Sequence, residues 1–250
     1  IEIETICPLH GPVWRKDIGW FIDKYVHWAT YKPEQQAVVI AYASVYGNTE
    51  NAANILASKL ADLGVRDVKM YDVSATHPSF IVSECFRASH LVFFSTTYNA
   101  GMFVNMENLV HDIVNHNLQN RTIALVENGS WAPTAGGLMR AEFQKLKNCT
   151  ILDEGLTIKS SLKEAQLSQM DALAQAIYDS MDHPAPAVHE DAKPVEQNAM
   201  FSLSYGLYVL TARDGEKDNG CIINTVMQQT DTPKRISITV NKANYTCNMI

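Results

Sequence analysis

Six residues that follow a short apolar run have the composition of a phosphate-binding loop. They combine hydroxyl side chains with one glycine and lead into a helical pattern: Ser44, Val45, Tyr46, Gly47, Asn48 and Thr49. Backbone N–H groups at a helix start, together with short hydroxyls, can hold an anion. The loop has no Lys or Arg, and the chain lacks both the Gly-x-x-x-x-Gly-Lys-Ser/Thr and the Gly-x-Gly-x-x-Gly motif. The loop therefore predicts a monophosphate held by neutral donors, with a simple hydroxyl-capped helix start as the alternative.

Two further segments combine small residues with one large aromatic side chain. Tyr98 and Trp131 can stack on a flat heterocycle, while backbone groups and Asn side chains bond its polar edge. The binding candidates in residues 95–101 are Thr96, Thr97, Tyr98, Asn99 and Gly101. Those in residues 128–136 are Asn128, Gly129, Ser130, Trp131 and Gly136.

Alternating strand and helix patterns between residues 37 and 181 must position these loops. Residues 37–43 are continuously apolar, as in a central parallel strand, and residues 50–63 carry an apolar stripe of helical period. Further strands are predicted at 67–72, 90–95, 121–127 and 150–157, and further helices at 79–88, 102–117, 137–147 and 163–181. The pattern predicts an α/β fold, a five-stranded parallel sheet in three layers, which binds ligands at the carboxyl ends of its strands.

The composition excludes several classes of protein. The chain has 250 residues, 46% of them hydrophobic and 19% charged, which excludes disorder or a coiled coil as the main architecture. The net charge of −7 argues against nucleic acid as a partner, and no apolar run approaches the roughly 20 residues of a membrane span. Five scattered cysteines without a Cys-x-x-Cys pair indicate a reducing compartment, so a cytoplasmic protein is expected.

Residues 37–181 resemble a flavodoxin-like domain. Residues 44–49 match the FMN-phosphate loop of that family, and residues 95–101 and 128–136 occupy the positions of its two isoalloxazine loops. The resemblance implies FMN as the cofactor and electron transfer as the task.

The flanking residues extend the resemblance to flavodiiron proteins. Residues 6–15 are similar to the end of the metallo-β-lactamase-like domain of that family, where the histidine, here His10, is an iron ligand. Residues 205–211 and 219–226 resemble the opening of a flavin-reductase split barrel. The chain is thus identified as an internal piece of a multidomain flavodiiron protein. Its expected parts are a diiron-domain tail (1–36), a flavodoxin-like domain (37–181), a proline-containing linker (182–197) and a partial reductase barrel (198–250).

This resemblance implies a flavodiiron-type oxidoreductase that relays electrons to a diiron site reducing oxygen or nitric oxide. Most iron ligands of the family would lie upstream, so the diiron site is expected in the intact protein only. A head-to-tail homodimer and an electron donor, such as a reductase module or rubredoxin, are also implied. Polar groups expected in the reductase part are Asn224, Thr225, Asn241 and Lys242.

Three other functions remain open from the sequence. They are a stand-alone flavodoxin-type electron carrier, an NAD(P)H:quinone oxidoreductase and an α/β binding module without flavin. Neither of the two flavin alternatives explains the segment around His10.

Overall fold

The computed structural model describes residues 2–182, 208–223, 226–230, 235–240 and 245–250. The chain divides into two compact units, Ile1–Pro184 and Ala185–Ile250. The helices of the first unit are α1 (Ile18–Ala29), α2 (Asn48–Asp62), α3 (Pro78–Arg87), α4 (Val104–Asn115), α5 (Ala135–Phe143) and α6 (Leu167–Asp179). Its strands are β1 (Gln35–Ala43), β2 (Val68–Asp72), β3 (Ala88–Tyr98), β4 (Gly101–Met102), β5 (Thr122–Asn128), β6 (Thr150–Ile151) and β7 (Leu156–Ile158).

The first unit is built on a parallel sheet with the strand order β2-β1-β3-β5-β6, and β7 also pairs with β5. Buried side chains of α2 and α6 pack on one face of the sheet, and those of α3, α4 and α5 pack on the other. The three-layer α/β fold predicted from the sequence is therefore confirmed.

Strand β1 shows why its sequence is continuously apolar. Val39 and Ala41 belong to the core on one face of the sheet, whereas Val38 and Ile40 belong to the core on the other. All four are buried, because both faces of this central strand are covered by helices.

Two predicted strand boundaries in the first unit are wrong. The strand predicted at 150–157 consists of two short pieces, β6 and β7, because residues 152–155 leave the sheet between them. Strand β3 continues through Thr96–Tyr98, which were predicted as loop, and forms a hairpin with β4. Asn99 and Ala100 connect the two strands with φ values of 48° and 58°, the left-handed conformation of a tight hairpin turn.

The described part of the second unit contains two antiparallel strand pairs and a 3-10 helix, Tyr245–Asn248. Strands β8 (Tyr208–Asp214) and β9 (Lys217–Ile223) form one pair, and β10 (Val226–Thr230) and β11 (Arg235–Ile238) form the other. Asp214 and Gly215 stand at the turn between β8 and β9, with Gly215 at a φ of 59°. Asn219 and Gly220 are also residues typical of turns, but both lie inside β9 and pair with β8.

Several predictions fall on residues outside those described. They concern the linker from residue 183 to 197, the first part of the barrel motif at 205–207, and Asn224, Thr225, Asn241 and Lys242. Within the described ranges, no helix has both the length and the apolarity needed to cross a membrane.

Candidate functional site

The candidate site lies at the carboxyl end of the sheet, where the chain leaves β1 and β3 toward opposite faces. Helix α2 follows β1 on one face and α4 follows β3 on the other, which creates a crevice between the two strand ends. A cavity of about 300 Å³ opens there, at the lower end of the usual range for small-molecule sites. It is lined by Val45, Tyr46, Asn48, Thr49, Thr96, Thr97, Tyr98, Asn128, Gly129, Ser130, Trp131 and Ser160.

The loop after β1 presents the start of α2 to this cavity. Gly47 precedes the helix with a φ of 83°, and its N–H donates to the hydroxyl oxygen of Ser44 over 3.1 Å. The N–H of Asn51 donates to the carbonyl of Gly47 at 2.8 Å, which is the first hydrogen bond of the helical type. The N–H groups of residues 48–50 precede this bond and have no acceptor within the helix, so they form a cradle suited to an anion.

A chain of side-chain hydrogen bonds connects this loop with those after β3 and β5. The Thr49 hydroxyl lies 3.0 Å from that of Thr96, which donates to the carbonyl of Ala43 over 3.0 Å. The Asn128 amide donates to the Thr49 hydroxyl oxygen over 3.1 Å. It also donates to the carbonyl of Ser160 (2.8 Å), and its oxygen accepts from the Ser160 N–H (3.1 Å). Four chain segments are thereby linked around one cavity.

Thr97 and Gly129 fix the loop that leads from β5 to α5. The hydroxyl oxygen of Thr97 accepts the N–H groups of Thr134 and Ala135, at 3.0 and 3.3 Å, at the start of α5. At Gly129, a β-carbon would lie 2.9 Å from the α-carbon of Pro133, so only glycine allows this close approach.

Three aromatic side chains line the cavity and keep open faces. Trp131 is 98% exposed, Tyr46 is 91% exposed and Tyr98 is 49% exposed. Tyr98 makes an edge contact with Phe103 at a ring distance of 6.3 Å. The open faces can stack on a planar ring, which is the interaction that large aromatic side chains provide at binding sites.

The cavity is electrically neutral, since none of the described side chains that line it is charged. Glu50, in the first turn of α2, accepts a hydrogen bond from the Tyr42 hydroxyl at 3.5 Å. Burial, and secondarily the carboxylates of Glu50 and Asp72, raises the pKa of Tyr42, which therefore stays a neutral donor. An anion in this cavity would be held by dipoles and not by an ion pair.

Most of the predicted cofactor-binding residues line the cavity, but five of the sixteen do not. Ser44 and Gly47 shape the first loop, and Asn99 and Gly101 belong to the β3–β4 hairpin. Gly136 lies beside Glu127: its N–H donates to the carboxylate over 2.8 Å, and a β-carbon there would lie 3.0 Å from that carboxyl group.

Ser160 lines the cavity and was not predicted. It follows β7 with a φ of 68°, so it stands at the carboxyl end of a strand like the other lining residues. Ligands of parallel sheets bind at the carboxyl ends of the strands. Applying this rule to β7 as well would have predicted Ser160.

His10, the predicted iron ligand, lies in an exposed bend between Ile6 and Trp14, which pair as an antiparallel bridge. In the described part of the chain, no group of three or more His, Cys, Asp or Glu residues is placed to hold a metal ion. His10 therefore belongs to no such group among these residues.

The residues present fit a phosphate-bearing planar heterocycle such as FMN. The N–H cradle at the start of α2 suits the phosphate, the neutral hydroxyls suit a polyol chain, and the open aromatic faces suit the ring.

Comparison with known proteins agrees with this fit. The sequence matches the family described as Flavodoxin over residues 40–187. An uncharacterized protein of Methanocaldococcus jannaschii is 31% identical over 170 residues, which cover 68% of this chain and 42% of that protein. The nitric oxide reductase of Moorella thermoacetica is 28% identical over 159 residues, covering 64% of this chain and 39% of the reductase.

A solved structure, the rubredoxin oxygen:oxidoreductase of Desulfovibrio gigas, is 27% identical with a TM-score of 0.65. The alignment covers 70% of this chain and 44% of that protein. This chain therefore spans less than half the length of these relatives. Because the family match extends over more than half of the chain, the protein belongs to the flavodoxin family.

Proposed function

We propose that this chain is the FMN-binding electron-transfer segment of a flavodiiron oxidoreductase. The observation that carries the proposal is the convergence of the loops after β1, β3 and β5 on one neutral cavity beside the start of α2. A nitric oxide reductase and a rubredoxin oxygen:oxidoreductase among the similar proteins support redox chemistry.

The phosphate of FMN would be held by the N–H groups of residues 48–50 and by the hydroxyl of Ser44. That hydroxyl accepts from the Gly47 N–H through its oxygen, so its own proton is available to an anion. Several N–H dipoles pointing at one phosphate compensate its charge without a Lys or Arg.

The ring of FMN would lie between Tyr98 and Trp131, which line the cavity and have exposed faces. Backbone groups of Gly129 and Ser130, which also line the cavity, would face the polar edge of the ring. When bound, FMN supplies the one- and two-electron chemistry, and the protein supplies position and hydrogen bonds.

In the intact protein, the electrons would pass to a diiron site that reduces oxygen or nitric oxide. His10 would provide one ligand of that site, and the others would come from residues outside this chain. We further propose a head-to-tail homodimer in the cytoplasm, an electron donor such as rubredoxin or a reductase module, and residues 198–250 as the opening of that module. These proposals rest on the resemblance of the flanking segments to flavodiiron proteins.

The test is the content of the purified chain. We expect the absorption of a bound flavin, release of equimolar FMN on denaturation and no complete diiron centre. A colourless protein whose addition leaves FMN fluorescence unchanged would overturn the proposal.

Two irons per chain with rapid consumption of nitric oxide would show instead that the diiron site is complete. Reduction of a benzoquinone by NADH or NADPH would favour a quinone oxidoreductase, and turnover with several electron-transfer partners, without a diiron domain, would favour a stand-alone carrier.

A further inference from the structure

The start of helix α5 is capped by side chains of the sheet and not by its own N-cap residue. Thr134 stands at the N-cap position, but its side chain makes no capping hydrogen bond. The first hydrogen bond of the helical type runs from the Leu138 N–H to the Thr134 carbonyl, at 3.1 Å. The N–H groups of residues 135–137 therefore have no acceptor within the helix and need one from elsewhere.

Glu127 of β5 supplies one of these acceptors. One carboxylate oxygen accepts the N–H of Gly136 over 2.8 Å, and the other accepts the hydroxyl of Thr157 in β7, also over 2.8 Å. An ionised carboxylate has no proton to donate, so both hydrogen bonds end on Glu127. Its negative charge also lies at the amino end of α5, where the helix dipole favours an anion. Glu127 thus ties the start of α5 to strand β7.

Two neighbouring residues complete this cap. Gly136 allows the close approach of the carboxylate, because a β-carbon there would lie 3.0 Å from the carboxyl group of Glu127. Thr97 of β3 accepts the N–H groups of Thr134 and Ala135 with its hydroxyl oxygen. The first turn of α5 is therefore held by side chains from two strands of the sheet.

The capped helix start is one end of the loop that carries Trp131. The other end is Gly129, whose N–H donates to the carbonyl of Ile158 over 2.9 Å. Between these ends, the Trp131 side chain lines the cavity and is 98% exposed, so packing does not fix its place. The position of this aromatic face beside the cavity therefore depends on how the two ends of the loop are held.

We propose that Glu127 is a positioning residue of the flavin site, which acts through the loop at residues 129–134 and sets where Trp131 meets the ring. Glu127 does not itself line the cavity, so its effect on a bound flavin is transmitted by the loop. The inference rests on the proposed function, because the ring in question is that of the proposed FMN.

Binding of FMN and of riboflavin, which lacks the phosphate, measures this role. Glu127→Met keeps the length of the side chain and removes both acceptors. We expect it to weaken the binding of both flavins by the same factor, about five- to tenfold, because it disturbs the loop and not the phosphate cradle. Glu127→Gln retains an oxygen for the Gly136 N–H and an amide that can donate to Thr157. Both affinities should then stay within about threefold of the wild type.

A double-mutant cycle with Trp131→Ala tests the route through the loop. Trp131→Ala alone should weaken the binding of both flavins about five- to tenfold, since stacking on one face of the ring is lost. In that background, Glu127→Met should cause a further loss of about twofold or less, because no indole is left to position. A role of Glu127 in the fold alone would give the same factor in both backgrounds.

Two more variants support the comparison. Thr157→Val removes one hydrogen bond to the carboxylate of Glu127 from an exposed strand position, and it should weaken the binding of both flavins about two- to threefold. Glu84→Met is the matched control. The Glu84 carboxylate also has two partners, Lys69 at 3.0 Å and Arg87 at 2.7 Å, but it belongs to α3 and does not line the cavity. Both flavin affinities should be unchanged in this control.

The outcomes separate this inference from the proposed function. Unchanged binding of both flavins in Glu127→Met would overturn the inference, and Thr157→Val decides in the same way if Glu127→Met does not fold. Loss of FMN affinity alone would place the effect at the phosphate and would also overturn it, as would equal factors in the two backgrounds of the cycle. In these cases the wild type still binds FMN, so the proposed function stands. A wild-type chain that binds neither flavin would overturn both.

Discussion

The two ends of the parallel sheet use polar groups in opposite ways. At the amino end, the charged side chain of Arg121 is buried and its hydrogen bonds are satisfied within the protein. At the carboxyl end, the cavity is lined by neutral hydroxyl, amide and aromatic side chains and lies beside backbone N–H groups at a helix start. The same sheet therefore has one end that is closed by internal hydrogen bonds and one end that can bond a ligand.

Arg121 is a buried charged residue at the amino end of the sheet, where it donates hydrogen bonds to several backbone carbonyls. It is 2% exposed, and its hydrogen bonds go to backbone carbonyls, while the carboxylate of Glu34 acts on it only as a nearby charge. Its guanidinium donates to the carbonyls of Cys85 (3.0 Å), Phe86 (2.6 Å), Tyr31 (2.8 Å) and Gln119 (2.7 Å). Burial lowers its pKa to about 10, which still leaves it charged at neutral pH. Two of these carbonyls belong to the last turn of α3, where the helix dipole favours a cation.

This contrast indicates that the amino end mainly contributes stability and the carboxyl end mainly contributes binding. A buried cation that is fully used by carbonyls stabilises the fold and offers nothing to a ligand. The neutral end leaves donors and aromatic faces available, at the expense of some hydrogen bonding within the protein. Substitutions at the amino end should therefore change the free energy of unfolding, and those at the carboxyl end should change flavin affinity.

The largest effect is expected from Arg121→Met. Several buried carbonyls lose their donor, at about 1–3 kcal/mol each, so we expect the free energy of unfolding to fall by about 3–5 kcal/mol. The folded molecules should bind FMN as tightly as the wild type. Urea unfolding and FMN titration measure the two quantities. Arg66→Met is the control, because Arg66 is exposed and its loss should change stability by less than about 0.5 kcal/mol. A large loss of FMN affinity in Arg121→Met would break the proposed separation of the two ends.

Gly47 and Gly64 provide a matched pair at the two ends of α2. Both have left-handed φ values, 83° and 95°, and a β-carbon would meet nothing within 4 Å at either position. Alanine should therefore cost about 1–2 kcal/mol of stability at each, from backbone strain alone. Only Gly47→Ala should also weaken FMN binding, by about tenfold, because Gly47 shapes the loop beside the cavity. Equal FMN affinities in the two variants would argue against an anion at the start of α2.

A smaller, pH-dependent effect is expected at His90 on the amino end. Its ring lies 2.7 Å from the Ser89 hydroxyl and 3.1 Å from that of Ser180, and burial lowers its pKa although Asp182 opposes the shift. Below the ordinary histidine pKa of 6.5, the unfolded chain binds more protons than the folded chain, so stability is present above that pH and is lost as the pH falls. The slope should reach at most about 1.4 kcal/mol per pH unit.

Urea unfolding of the wild type and of His90→Gln between about pH 7.5 and pH 5 measures this slope. The Gln variant should show a shallower decline. Identical slopes in the two proteins would mean that His90 takes up a proton without loss of the fold.

Local patterns in the sequence predicted much of the fold. The apolar run of β1 and the stripe of α2 are properties of a few consecutive residues, and they gave both elements to within two residues. Most of the cavity lining followed from one rule about strand ends. Residues 152–155 were misassigned, although Asp153 and Gly155, residue types that strands disfavour, mark the interruption between two short pairings with β5.

The roles of individual site residues could not be predicted in the same way. Asn128 lines the cavity as predicted, but its hydrogen bonds to Thr49 and Ser160, 79 and 32 residues away in the chain, could not be foreseen. Gly136 was expected at the cofactor, and its neighbour is instead the carboxylate of Glu127. Such hydrogen bonds depend on how the sheet brings distant loops together, so a single sequence contains no local pattern for them.

The most direct test of the account is the affinity of the wild-type chain for FMN relative to riboflavin. The two molecules differ only in the phosphate, which is assigned to the loop at residues 44–49 and the start of α2. We expect FMN to bind more tightly by on the order of 100-fold or more, because at least two hydrogen bonds to a charged group are lost with riboflavin. Equal affinity for the two flavins would contradict the account.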